Sequence, residues 1–166
     1  LGLDVELAVG DFDSATPEAL EAAARVERHP VDKDATDLEL ALQEALALAP
    51  RRILVLGGIE GRLDHLFGEL LLLGSEDYAD VELVAVLGDA LIHVIRGTRS
   101  LEGTEGELVS LFALNAPAEG VVTEGLVYPL RGETLLPGSS RGISTRFAAR
   151  SPRVSSDRAL PLPVRP

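Results

Sequence analysis

The stretch RILVLGGIEGRLDHLFGELLLL, residues 52–73, changes periodicity halfway along. RILVLG (52–57) is a short run of branched apolar residues and reads as a buried strand. After the glycines at 57, 58 and 61, Leu63, Leu66, Phe67, Leu70 and Leu71 recur at i, i+3, i+4, i+7 and i+8, which is the stripe of an amphipathic helix. A strand, a glycine loop and a helix in that order form one unit of an α/β fold with parallel strands.

The same alternation extends to both sides. Upstream, VELAVG (5–10) reads as a strand, 17–27 as a helix with Pro17 in its first turn, and 36–49 as a second helix striped by Leu38, Ala41, Leu42, Ala45, Leu46 and Ala49. Downstream, VELVAVLG (81–88) reads as another strand. Residues 1–88 are therefore expected to form an α/β domain with a mostly parallel sheet. From about residue 90 the helical period is lost and glycine and proline multiply. Short β-like runs follow, at ALIHVIRG, ELVSLFAL, VVTEGLVYPL and STRFAARSP. Residues 89–166 are expected to form an all-β antiparallel domain, sandwich- or barrel-like, with the proline-rich LPLPVRP as an edge strand or frayed tail.

Composition narrows the function classes. The chain has 166 residues, 46% of them hydrophobic, enough for a real core. Its net charge of −12 argues against non-specific binding to nucleic acid or to an anionic membrane, both of which need clustered cations. There is no cysteine, so disulfides, thiolate nucleophiles and cysteine-based zinc sites are excluded; this suits a cytoplasmic protein. Neither a transmembrane run nor a signal peptide is read. The first residue is Leu1 rather than Met, which points to a segment ahead of it.

Three acidic clusters stand at the ends of apolar elements. In LAVGDFDSATPEAL (7–20), Asp11 and Asp13 follow a strand; side chains alternate in an extended segment, so both carboxylates face one way where open α/β sheets bind ligands. Paired carboxylates begin a Mg²⁺ site, since that ion takes hard oxygen ligands and keeps positions for water and phosphate. They equally suit a turn, with Asp13 or Ser14 capping the next helix. In HPVDKDATDLELAL (29–42), Thr36 and Glu39 form a capping box that puts Asp37 first in its helix. Lys33 and Asp34 crowd ahead of that helix start, a place suited to phosphate but also to a solvated charge run. In LGGIEGRLDH (56–65), Arg62 and Asp64 open a helix after a glycine loop that is neither a Walker A nor a dinucleotide fingerprint, and His65 reads as a packing or hydrogen-bonding residue.

VGDFDS, HPVDKDATDLELAL and LGGIEGRLDH, in that order and followed by VTEGLVYPL and SSRGIST, together resemble the thiamine pyrophosphokinase (thiamine diphosphokinase) family over essentially the whole chain. The resemblance implies a homodimeric, Mg²⁺-dependent enzyme that transfers diphosphate from ATP to the hydroxyl of thiamine and releases AMP. It puts the metal and triphosphate carboxylates on Asp11, Asp13 and Asp37, with Lys33 and Asp34 nearby and Arg62 tempering the charge. It implies that Asp64 contacts the aminopyrimidine of thiamine, and that Tyr128 and Ser144 of the partner subunit's β domain cover it. Asp37 or Asp34 is the implied acceptor of the hydroxyl proton. Three departures stand out: Tyr128 replaces the usual Trp, Thr145 replaces a common Asn, and the family's upstream ADGG-like strand lies outside this sequence. The alternatives are a nucleotide- or thiamine-binding relic without turnover, and a haloacid-dehalogenase-like Mg²⁺ phosphatase. The latter family has Thr or Val where this chain has Ala15.

Overall fold

A computed structural model of the chain describes residues 4–13, 15–58, 62–157 and 161–165, the segment 161–163 by its backbone only. Two compact units divide it, Leu1–Pro50 and Arg51–Pro166. Among the described residues no helix is long and apolar enough to cross a membrane.

In the first unit β1 (Val5–Gly10) pairs in parallel with β2 (Ala23–Arg28), in register from Val5↔Ala23 to Gly10↔Arg28. The expected helix over 17–27 is corrected here. α1 spans only Pro17–Glu21, begun by Pro17 and by Thr16, whose hydroxyl accepts from the Ala19 amide. AARVER then becomes a strand because the ladder to β1 satisfies its amides and carbonyls, which outweighs the helix propensity of its alanines. α2 (Asp37–Ala47) is capped by Thr36, which accepts from the Glu39 amide at 3.2 Å, and it buries Leu42 where it packs on β1.

The second unit opens with β3 (Arg52–Gly57), α3 (Leu63–Leu73) and β4 (Glu82–Leu87), the two strands parallel from Arg52↔Glu82 to Gly57↔Leu87. β4 turns at Gly88, where φ is +58°, into antiparallel β5 (Ala90–His93). The strands that follow are β6 (Thr98–Ser100), β7 (Leu108–Ala113), β8 (Ala118–Glu124), β9 (Arg131–Leu135), β10 (Thr145–Arg146), β11 (Arg153–Ser155) and β12 (Pro161–Arg165). One sheet runs β10-β7-β12-β5-β4-β3 and the other β6-β11-β8-β9. The chain thus has an N-terminal α/β region and a β-rich C-terminal region. The parallel pairs β1–β2 and β3–β4 lie in separate sheets, and every other pairing in the sheet of β3 and β4 is antiparallel.

The proline-rich end is a second correction. β12 is inserted between β7 and β5 rather than lying on an edge. It tolerates Pro161 and Pro163 because both are opposite β7 alone; β5 reaches only Val164 and Arg165. Buried residues from both sheets, among them Val109, Leu111, Val121, Leu135 and Val154, form one apolar core with Phe147, as in a β-sandwich.

Candidate active site

Asp11 follows β1 directly, and its backbone neighbour Phe12 has φ = +60°. That left-handed residue breaks the extended path, so the strand alternation that would aim Asp11 and Asp13 the same way is not kept. Instead the Asp13 amide donates to Asp11 Oδ1 at 3.1 Å, an Asx turn. The guanidinium of Arg28 lies over the Phe12 ring, 5.1 Å from its centroid. Thr16, not Asp13, caps α1, and Ser14 lies outside the described residues.

The turn presents Asp11 to Lys33. Lys33 Nζ lies 3.1 Å from Asp11 Oδ2 and 3.0 Å from Asp37 Oδ1, so one ammonium joins the end of β1 to the start of α2. The Asp11 and Lys33 side chains are 15% and 14% exposed. The Asp13 amide, and after it Lys33, hold the Asp11 carboxyl below its ordinary range; the hydrogen bond to Asp37 leads the effects that raise Lys33. Gly10 completes the corner: with φ = +146°, its α-carbon sits so close to Asp37 that an added Cβ would lie 2.7 Å from Oδ2. Sequence reasoning missed this glycine, although its place just before the DxD was a usable signal. Asp13 and Asp34 are both exposed.

Among the described residues no three His, Asp or Glu side chains converge as a ready-made metal cage. Two carboxylates on one cationic point nevertheless match Mg²⁺, which binds through one or two carboxylates and completes its shell with water and phosphate. The donor set fits that ion.

In the second unit, Arg62 and Asp64 form a two-point ion pair at the start of α3: Nε to Oδ1 at 3.1 Å and Nη2 to Oδ2 at 2.5 Å. Both are largely exposed, and the Arg62 hydrogen bonds hold the Asp64 carboxyl below its ordinary range. Ile59, Glu60 and Gly61 of the glycine loop lie outside the described residues. His65 is exposed, not packed.

The β-rich region carries Tyr128 on the rim of a cleft of about 410 Å³ lined also by Leu130, Ser140, Arg141, Gly142 and Thr145. The ring is available, since Tyr128 is 66% exposed, while its backbone is fixed: its amide donates to the hydroxyl of buried Thr145 at 3.2 Å. Two residues on, Leu130 N donates to buried Thr123 Oγ1 at 2.8 Å. Ser144 is exposed, with φ = +57° and its amide donating to Ser110 Oγ at 3.0 Å.

The family model described as thiamin pyrophosphokinase, catalytic domain, matches residues 1–85, and the one described as thiamin pyrophosphokinase, vitamin B1 binding domain, matches 92–160. A rice (Oryza sativa subsp. japonica) protein, thiamine pyrophosphokinase 1, is 27% identical over 166 residues, covering 91% of this chain; the chain spans 62% of the rice protein's length. Thiamine pyrophosphokinase of Bacillus subtilis (strain 168) is 29% identical over 84% of this chain and 68% of its own. Among solved structures, the Bacillus subtilis thiamine pyrophosphokinase superposes with a TM-score of 0.81 at 25% identity, over 96% of this chain and 77% of that one. The thiamin pyrophosphokinase of Geobacillus thermodenitrificans gives 0.77 at 30% identity, over 97% and 76%.

Proposed function

The chain belongs to the thiamin pyrophosphokinase family, and we propose that it transfers the terminal diphosphate of ATP to the hydroxyl of thiamine. The hydroxyl oxygen attacks the β-phosphorus and the bond to the α,β-bridging oxygen breaks. The products are thiamine diphosphate and AMP, and the hydroxyl proton passes to a carboxylate. The observation that carries this reading is the junction of Asp11, Lys33 and Asp37, where strand end and helix start present paired acids and one cation.

Asp11, Asp13 and Asp37 are the residues that would hold Mg²⁺, which when bound supplies positive charge against the triphosphate. Lys33, ahead of the N-terminus of α2, binds phosphate. Asp37 or Asp34 accepts the proton. Asp64, kept ionised by Arg62, receives the aminopyrimidine. Tyr128 gives the heterocycle a stacking face and Ser144 a hydroxyl. Residues 1–88 act as the nucleotide- and metal-binding part and 89–166 as the thiamine-binding and dimerisation part. The working form is a cytoplasmic homodimer in which each thiamine is shared between subunits.

Incubation with ATP, Mg²⁺ and thiamine tests the reading. AMP and thiamine diphosphate in equal amounts are expected. Thiamine binding without turnover would point to a relic, and phosphate release from phosphomonoesters to a different enzyme class.

A further inference from the structure

Lys33 is the only lysine in the sequence; every other member of the 15 Lys and Arg residues is arginine. It sits between the carboxylates of Asp11 and Asp37, a place that suits a compact charge. A guanidinium is a broad planar fork suited to gripping a single carboxylate side-on, whereas an ammonium is a compact charge that can sit between two. Its contacts of 3.1 and 3.0 Å reach acids from two different elements, and its side chain is mostly enclosed. Gly10, next to Asp11 in the chain, leaves the space that the Asp37 carboxylate fills. Without a cation between them, the two carboxylates would repel each other and part.

We propose that Lys33 is a built-in counter-ion that trades places with a divalent cation. In the metal-free protein it holds Asp11 and Asp37 in position. When those carboxylates take up a metal, Lys33 leaves them and its ammonium turns to the triphosphate. The inference rests on the metal reading of Asp11 and Asp37 given above. It carries a thermodynamic consequence: free metal must compete with the ammonium, while nucleotide offers the ammonium a new partner. Lys33 therefore couples the two ligands, each tightening the other, and the coupling is reciprocal.

Two measurements on the full chain test the exchange. In the first, Mn²⁺ alone is titrated without nucleotide and free Mn²⁺ is read by paramagnetic resonance. Lys33→Met keeps the length and loses the charge, and it is expected to bind Mn²⁺ about tenfold tighter than the unsubstituted protein. In the second, the unsubstituted protein is labelled with ¹³C-lysine. Its single ε-methylene signal is expected to shift on adding Mg²⁺ and to saturate with the metal; this measurement stands even if Lys33→Met does not fold. Equal or weaker Mn²⁺ binding by a folded Lys33→Met, or a lysine signal unmoved at saturating Mg²⁺, overturns the exchange while leaving the metal site intact. If the unsubstituted protein binds neither ion, the metal reading falls and the exchange with it.

Discussion

Phe12 holds φ = +60°, a conformation costly for an aromatic residue, and its effect is to turn the chain so that Asp11 meets Lys33. Gly10, one residue before Asp11, has a constraint of its own. Gly10→Ala should cost about 1–3 kcal/mol in stability, because it adds left-handed strain and thrusts a methyl group at Asp37. Chemical denaturation measures that cost, and an unchanged midpoint would show that Asp37 can yield without loss. Asp13→Asn and Asp37→Asn should abolish diphosphate transfer while the circular dichroism spectrum stays intact; full activity in either removes that residue from the site. At the other cluster, Tyr128→Ala should raise the thiamine KM with a smaller effect on kcat, since a stacked ring contributes on the order of 1 kcal/mol. Thr145→Val should act in the same direction by leaving the Tyr128 amide unpaired, and Thr145→Ser should restore it. The DxD and Tyr128 were legible as residues. The partnership of Thr145 with Tyr128 was not, because it joins positions 17 apart through a backbone amide.

At the scale of elements, β1, α2, β3, α3 and β4 follow the periodicities in the sequence closely. The two failures share a cause. AARVER has a local preference for helix and LPLPVRP one against an interior strand, and in both the free edge of a neighbouring strand decides. β5 carries a consequence of such pairing. His93 is 9% exposed with Nδ1 unpartnered, and burial, followed by the nearby charge of Arg99, pushes its pKa down to about 4. Arg165 and Arg52 reinforce this and Glu82 opposes it. The imidazole is therefore neutral in the folded state down to about pH 4, while the unfolded chain takes up a proton from about pH 6.5. Below that upper value the unfolded state binds more protons, so stability should fall as pH drops through this window, by up to about 3 kcal/mol. Urea unfolding at neutral pH and near pH 4.5 measures the loss. His93→Gln should flatten the slope, and an identical slope in that variant would assign the acid sensitivity to other groups.

For the whole molecule, a charge of −12 sets the terms on which anionic substrates approach. Metal-free ATP meets a repulsive field that salt screens, so its association rate should rise as ionic strength climbs toward 0.15 M, where the Debye length is about 8 Å. Stopped-flow binding reads this directly, and a rate that falls with salt would mean the local cations outweigh the net charge. The sequence by itself determined the charge, the absence of cysteine, the alternation of helices and strands from residue 36 to residue 88, and the order of the acidic motifs, because all of these are carried by residue type and short-range spacing. Only the tertiary structure decided that the parallel pairs belong to separate sheets, that a proline-rich end is inserted between two strands, and that a lone ammonium joins Asp11 to Asp37. Those outcomes depend on which edges and charges meet across long separations in the chain, and no local pattern records that.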